Sequence, residues 1–249
     1  AGGGGAPAGG APGGGGPPDP MIVHPDVRRL LLRQASFIEG ARALGVYVRT
    51  LLEDPGEVAG VPRALVGGFL TPVVKAFFSD RSFEAANDAM QLMGGHGYIR
   101  DNGVEQLVRD CRIFQLYEGA NGVQAFDLAV RKLPAGGGQV LPAFLALIEE
   151  ATAQAVESDR LRRYADALKA ASRQLASAGT WLTHPDRDPE DVAGAAYDFM
   201  NMVGIVALGF IWLRTAMTAQ AMSAHGGESD FLRRKLALSR YWFEREIPI

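Results

Sequence analysis

The spacing of apolar residues along the 249-residue chain predicts helices over most of its length. Residues 24–53 repeat apolar side chains at helical intervals, and Pro55 and Gly56 follow as breakers. Residues 158–181 keep the same three-and-four spacing over six successive apolar positions without a miss. No stretch alternates apolar and polar residues with the period of two that marks a half-buried strand. The pattern therefore predicts an all-α fold, an antiparallel helical bundle with a second helical layer.

Glycine, proline and capping residues set the predicted ends of the other helices. The second helix is expected to begin at Thr71-Pro72, with Thr71 as its cap, and to end before Gly94-Gly95. Asn102 is expected to cap the third helix, whose apolar positions, including Leu107, are expected to face inward. The fourth helix carries Val123, Phe126, Leu128 and Val130 as apolar positions. The predicted helices cover residues 24–53, 72–93, 103–115, 121–133, 139–157, 158–181, 190–225 and 230–245.

Composition divides the chain into three parts. Residues 1–20 are almost entirely Gly, Ala and Pro, which predicts a disordered linker. The Pro134 to Gly138 break is the best internal boundary. We therefore expect a helical bundle over residues 21–134 and a helical extension over residues 135–249.

Charge and apolar content narrow the classes of function. Hydrophobic residues make up 47% of the chain, which is enough for a core, and a net charge of −3 gives no reason to expect a nucleic-acid partner. The single cysteine excludes an internal disulfide, and no signal-peptide pattern occurs, so we expect a cytoplasmic protein.

Residues 199–213 form the most apolar stretch, but this stretch is shorter than the roughly 20 residues of a membrane span. We expect no membrane span, but a helix buried on all sides or one that shares its surface with another subunit. Because the stretch is too apolar for a solvent face, we predict an oligomer.

The candidate chemistry lies between Gln91 and Gln124. This region contains a Gln-x-x-Gly-Gly-x-Gly run from Gln91 to Gly97, then the pair Arg109-Asp110, then Tyr117-Glu118-Gly119. The three motifs, in this order and spacing, resemble the C-terminal part of the acyl-CoA dehydrogenase family. Residues 135–249 resemble more loosely the helical extension of the family branch that includes the 3-(methylthio)propanoyl-CoA dehydrogenases.

The resemblance implies that Glu118 is the general base that removes the α-proton of an acyl-CoA thioester. It also implies that the Glu118 N–H helps to hold the thioester oxygen, and that Gly119 lets the substrate approach closely. An apolar setting of Leu116, Tyr117 and Val123 is expected to raise the pKa of the carboxyl group. Without the resemblance, a carboxylate that caps the following helix is the commoner interpretation of Glu118.

The resemblance also implies FAD, which accepts the substrate's β-hydrogen as hydride. The residues implied to bind the adenosine and pyrophosphate part of FAD in the neighbouring subunit are Gln91, Gly94, Gly95 and Gly97. The residues implied to contact the cofactor just after the base are Asn121, Gly122 and Gln124. The alternative for the glycine run is an ordinary helix C-terminus. Arg109 and Asp110 are expected to form a structural ion pair that orients the Glu118 turn.

Family members place a helical and a β-rich domain ahead of this region, so we expect the chain alone to hold only half of a cofactor site. The implied partners are an acyl-CoA substrate, other copies of the chain, and an electron-transfer flavoprotein or similar acceptor. The histidines show no metal-ligand spacing, so no metal site is predicted. Two alternatives stay open: a non-catalytic helical remnant or assembly module, and a DNA-associated relative, which the balanced charge disfavours.

Overall fold

A computed structural model describes residues 19–156 and 158–248 of the chain. The helices of this part are α1 (Pro25–Glu53), α2 (Arg63–Leu92), α3 (Gly95–Tyr98), α4 (Val104–Ile113), α5 (Asn121–Asp127), α6 (Val140–Gln154), α7 (Asp159–Leu182), α8 (Pro189–Gly226) and α9 (Asp230–Tyr241). Single 3-10 turns lie at Met21–Val23, Arg100–Asn102 and Ala135–Gly138, and π-helical turns extend α5 over Leu128–Lys132 and α9 over Trp242–Glu246. The predicted all-α fold is confirmed. The linker predicted over residues 1–20 lies outside the described residues, apart from its last two.

Two short strands interrupt the loop predicted between the first two helices. Strand β1 (Glu57–Val58) pairs antiparallel with β2 (Val61–Pro62), and the chain turns at Ala59 and Gly60, which both have positive φ. The strands are only two residues long, so they act as a tight connection between α1 and α2.

Helix α2 begins eight residues earlier than predicted, at Arg63 instead of Thr71. The expectation that Thr71 caps the helix is wrong, because its hydroxyl donates to the Gly67 carbonyl one turn back. Pro72 lies inside the helix, where a proline removes a backbone hydrogen bond and costs about 3 kcal/mol. Because Pro72 and its neighbour Val73 are buried, tertiary packing offsets that local cost.

Helices α1 and α2 form an antiparallel pair. Arg33 near the start of α1 binds Asp88 near the end of α2 through two hydrogen bonds, while Leu52 near the end of α1 packs against Gly67. Asp88 is buried, so the bidentate guanidinium supplies the partner that its charge requires.

Helix α8 lies at the centre of the molecule. It crosses α2 where Gly204 meets the ring of Phe77, and it crosses α1 where the Trp212 indole N–H donates to the Ser36 carbonyl at 3.2 Å. Most of residues 199–213 are buried within the chain itself. The first interpretation of this stretch, a helix buried on all sides, is therefore confirmed, and the apolar stretch gives no support to the predicted oligomer.

Helix α8 is also the one described helix that is long and apolar enough to cross a membrane, but 67% of its most apolar window is buried inside the fold. Its apolar face therefore already has a protein environment.

The close approach at Gly204 yields a test of this packing. A Cβ atom at Gly204 would lie 2.6 Å from the Phe77 ring, whereas Gly194 in the same helix faces open space. Gly204→Ala is expected to lower the free energy of unfolding by about 1–3 kcal/mol through overpacking. Gly194→Ala is expected to raise it by roughly 0.5–1 kcal/mol because alanine favours helix. Urea unfolding of both variants measures this, and equal effects of the two substitutions would contradict the close crossing.

Candidate functional site

Glu118 lies on an exposed turn between α4 and α5. Its backbone has a φ of 56°, a left-handed conformation that is unfavourable for a residue with a side chain, and Gly119 follows with a φ of 84°. The positive φ requires glycine at position 119, and an added Cβ there would meet the Gln124 side-chain nitrogen at 2.9 Å. The motif Tyr-Glu-Gly therefore encodes a strained turn that presents the glutamate.

The surroundings of Glu118 differ from those expected. Glu118 is exposed, and Leu116, Tyr117 and Val123 are themselves 52%, 44% and 59% exposed. These side chains do not enclose the carboxylate, so the apolar setting predicted from the sequence is not formed by the described part of the chain.

The carboxylate and the N–H of Glu118 are free in the described residues, whereas the carbonyls of its turn are held. In the described residues, its carboxylate has no hydrogen bond or ion pair and its N–H donates to no protein atom. The Glu118 carbonyl, by contrast, accepts from Gln124 Nε2 at 2.8 Å, and the Gly119 carbonyl accepts from Lys75 Nζ at 2.7 Å. The turn is therefore fixed through its carbonyls, which leaves the Glu118 carboxylate and N–H available to a ligand.

Asn121 anchors the end of the turn inside the protein. Its side chain is buried, and its Nδ2 donates to Asp80 Oδ1 at 2.7 Å, to Ser79 Oγ at 2.9 Å and to the Ala76 carbonyl at 3.1 Å. Its Oδ1 accepts from Lys75 Nζ at 2.9 Å. The cofactor contact implied for Asn121 stays a prediction. In this structure the Asn121 carboxamide makes hydrogen bonds to α2 that stabilise the turn.

Asp80 is the common acceptor beneath the turn. Its Oδ1 accepts from Asn121 and also from Gln115 Nε2 at 2.8 Å, and its Oδ2 accepts from the Tyr197 hydroxyl at 2.5 Å. Burial of the phenol, together with its hydrogen bond and proximity to Asp80, raises the pKa of Tyr197 to about 12.

The glycine run forms the turn that follows α2. Gly94 has a φ of 56°, and at both Gly94 and Gly95 an added Cβ would enter open space. Gly97 is different, because it is buried and an added Cβ would lie 2.5 Å from the Met90 carbonyl oxygen. The helix-end interpretation is thus correct for the backbone. The implied FAD contacts, including that of the exposed Gln91, stay predictions.

The structure does not bring the two predicted groups of site residues together. Lys75 on α2 holds the Glu118 turn, whereas the glycine turn follows Leu92 at the far end of the same helix. Seventeen residues separate Lys75 from Leu92, which is about 25 Å at the helical rise of 1.5 Å per residue. Helix α4 packs along α2 and connects the two turns.

The predicted ion pair between Arg109 and Asp110 is wrong. Asp110 accepts instead from Gln106 Nε2 at 2.7 Å, both charged residues are exposed, and no ion pair joins them in the described residues. The Glu118 turn is oriented by Lys75 and Asp80.

The predicted inward face of α4 holds in part, and its predicted cap is wrong. Val104, Val108 and Cys111 are half-buried, whereas Leu107 is 53% exposed. Gly103 occupies the cap position, while Asn102 Nδ2 donates to the His96 carbonyl. On α5, Val123 is likewise exposed. Leu107 and Val123 are thus exposed apolar side chains that the described residues leave uncovered.

Sequence reasoning missed Lys75, Asp80 and Tyr197. Lys75 and Asp80 flank the buried Ser79 on one turn and a half of α2, a spacing that could have indicated a polar patch inside a predicted helix. Tyr197 lies 117 residues from Asp80 and carries no local signal. Within residues 19–156 and 158–248, no three metal-ligating side chains lie close enough to hold a metal ion.

Comparison with known proteins shows which family the chain belongs to. Residues 17–133 match the model described as the acyl-CoA dehydrogenase C-terminal domain, and residues 144–249 match the one described as acetyl-CoA dehydrogenase C-terminal like. The chain belongs to the acyl-CoA dehydrogenase family. Both halves of the chain therefore correspond to C-terminal regions of acyl-CoA dehydrogenases.

Individual acyl-CoA dehydrogenases give the same result. A 3-methylmercaptopropionyl-CoA dehydrogenase from Ruegeria pomeroyi is 34% identical over 88% of this chain, which covers 38% of that relative. The broad-specificity linear acyl-CoA dehydrogenase FadE5 from Mycobacterium tuberculosis is 30% identical over 91% of this chain and 39% of its own length. The chain thus spans about two-fifths of the length of these relatives.

A solved structure supports the fold alone. The crystal structure of Caenorhabditis elegans ACDH-11 in complex with C11-CoA matches with a TM-score of 0.66 at 19% identity, over 84% of this chain and 34% of the other. The helical arrangement described above is therefore shared with a family member of low sequence identity.

The hydrogen bond to Asp80 can be tested by titrating the Tyr197 phenol. Subtracting the tyrosinate absorbance of Tyr197→Phe from that of the unaltered chain should isolate a phenol with a midpoint near pH 12. Because the pKa is raised on folding, the hydroxyl's contribution to stability is fully present below about pH 10 and is lost as the pH rises through about 12. A difference curve centred at about pH 10, the ordinary tyrosine value, would contradict the hydrogen bond to Asp80.

Proposed function

We propose that this chain is the C-terminal part of an FAD-dependent acyl-CoA dehydrogenase that oxidises the Cα–Cβ bond of an acyl-CoA thioester, with Glu118 as the general base. The observation that carries the proposal is the Tyr117-Glu118-Gly119 turn, whose glutamate has a free carboxylate and a free N–H while its backbone is held in a strained conformation. Strained, over-determined backbone is typical of functional sites. Family membership supplies the reaction class.

The free groups of Glu118 suit two tasks in this reaction. The carboxylate takes the proton from the α-carbon, and the electron pair of the broken C–H bond forms the new double bond to the β-carbon. The N–H of Glu118, which donates to no atom of the described residues, would donate to the thioester oxygen and stabilise the negative charge that develops there. FAD, when bound, supplies the acceptor for the hydride that leaves the β-carbon.

The glycine turn fits a phosphate-bearing cofactor in one respect. The space around Gly94 and Gly95 is open. Because neither residue has a side chain, a diphosphate could approach the backbone there closely. Gly97 acts through packing on Met90, and Gly122 is open and exposed near the base. We infer that the Gly95 N–H would bind the diphosphate, while Gly94, whose N–H donates to the Gln91 carbonyl at 3.1 Å, would leave space for it.

The exposure of Glu118 implies that other protein segments enclose it in the active assembly. A general base needs a shielded setting to reach a pKa near neutrality, and Leu116 and Val123 are too exposed to provide one. We propose that further copies of the chain, and segments corresponding to the rest of the relatives' length, supply this enclosure. An electron-transfer flavoprotein or a similar acceptor would reoxidise the flavin.

A helical assembly module is the second candidate function. The observation that favours it is the uncovered apolar surface of α4 and α5, which bears Leu107, Ile113, Leu116, Val123 and Phe126 at exposures between 46% and 59%. An apolar surface of this kind marks a protein interface. Association of the chain through this surface is compatible with catalysis. If Glu118 does not act as a base, association would be the only function of the chain.

Replacement of the base tests the catalytic proposal. In an assembly that supplies the remaining segments of a relative, Glu118→Gln is expected to lower the dehydrogenation rate by about 10²- to 10⁴-fold, because the amide keeps the shape but accepts no proton. Glu105→Gln, which removes a carboxylate on α4, is the matched control and should leave the rate unchanged. The rate is followed by reduction of an artificial electron acceptor.

Two outcomes would contradict the proposal. An assembly that keeps its rate after Glu118→Gln would remove Glu118 as the base. Strong FAD retention and full activity of the 249-residue chain alone would show that the enclosure does not come from other segments.

The oligomer is tested by placing a charge on the apolar surface. We expect the chain to associate at micromolar concentration, and Leu107→Glu to shift it to monomer because the buried charge would lack a partner. Val46→Glu, on an exposed apolar position of α1, is the control and should leave the mass unchanged. Light scattering gives the mass, and a monomeric unaltered chain, or dissociation by Val46→Glu instead, would contradict this interface.

A further inference from the structure

One carboxylate holds both ends of the Glu118 turn. Gln115 Nε2 and Asn121 Nδ2, which precede and follow the turn, donate to the same Asp80 Oδ1 at 2.8 and 2.7 Å. The Asn121 N–H also donates to the Gln115 carbonyl at 3.2 Å, which closes the turn at its base. The position of Asp80 therefore fixes the distance between Gln115 and Asn121, the two ends of the turn that carries Glu118.

The second oxygen of Asp80 is held by the C-terminal half of the chain. The Tyr197 hydroxyl on α8 donates to Asp80 Oδ2 at 2.5 Å, and Tyr197 lies in the region that matches the second family model. No other described residue bonds to this oxygen. Tyr197 thus fixes the rotation of the Asp80 carboxylate, which in turn decides whether Oδ1 can accept from both Gln115 and Asn121.

The turn needs such a restraint because its conformation is unfavourable by itself. Glu118 has a positive φ, and such a residue keeps that backbone only when the surrounding structure over-determines it. Its carboxylate has no hydrogen-bond partner in the described residues, so the direction of the side chain depends on the backbone alone. Loosening of the turn would therefore displace the carboxylate.

We propose that Tyr197 is a positioning residue for Glu118: by fixing Asp80, it holds both ends of the turn and couples the helical extension to the reactive carboxylate. The catalytic consequence rests on the proposed function, whereas the restraint of the turn does not. Lys75 adds two further hydrogen bonds to the turn, since its Nζ donates to the Gly119 carbonyl and to Asn121 Oδ1.

Backbone hydrogen exchange of the 249-residue chain tests the restraint without any activity. Tyr197→Phe removes only the hydroxyl, and it should speed exchange of the amides in residues 115–124 by about five- to tenfold, as expected for one lost hydrogen bond. Exchange in α7 should stay unchanged where local opening dominates, and the urea midpoint should fall only by the contribution of this one hydrogen bond. Tyr47→Phe is the matched control, because Tyr47 is a half-buried tyrosine that packs against Phe210 of the same α8 but lies outside this network.

Kinetics of the assembled enzyme test the catalytic consequence. Tyr197→Phe should lower kcat on the order of tenfold with KM unchanged, because misplacement of the base slows proton transfer and leaves thioester binding intact. Tyr47→Phe should change neither constant.

The outcomes separate the two proposals. Unaltered exchange in residues 115–124, or faster exchange spread evenly over the chain, would overturn the positioning role. A raised KM with kcat unchanged would overturn it as well. If the unaltered assembly is inactive, the proposed function fails, and the exchange measurement alone still decides whether Tyr197 restrains the turn.

Discussion

The close crossing of α8 with α1 and α2 is the constraint on which the rest of the structure depends. At Gly204 the backbone of α8 comes so near to the Phe77 ring that no side chain fits between them, and at Gly40 the indole of Trp212 takes the corresponding space on α1. Such contacts exclude water from a long apolar surface, which is the main source of folding stability. They also fix the height of α8 along α2, and thereby bring Tyr197 to Asp80.

The polar network beneath the Glu118 turn follows from that packing. Asp80, Asn121 and Tyr197 lie where three helices meet, and a buried carboxamide such as that of Asn121 must find partners there. The polar side chains of the network have hydrogen-bond partners in the described residues, whereas the Glu118 carboxylate has none. A hydrogen-bonded network thus supports the turn that carries Glu118, a side chain that the described residues leave exposed.

Local sequence signals predicted the helices well and the contacts between them poorly. Helix α7 lies within one residue of its prediction, because its apolar spacing is regular and Ser158 caps it. The start of α2 was missed because tertiary burial overrides the local cost of Pro72. On α4 only Leu107 was placed inward wrongly, because apolar spacing does not tell how far an apolar stripe is covered by its own chain. The motifs located the Glu118 turn, but the restraint by Tyr197 depends on packing between distant segments.

The distance between the two predicted motifs links the functional proposals. The glycine turn and the Glu118 turn lie at opposite ends of α4, about 25 Å apart along α2 at the helical rise. A base must be within about 3 Å of the proton that it removes, so under the proposed function a flavin beside Glu118 would need binding groups other than the glycine turn of the same copy. A second copy that offers its own glycine turn would meet this need, and under the proposal the apolar surface of α4 and α5 is where copies would meet. On this argument, loss of the oligomer would also remove FAD binding.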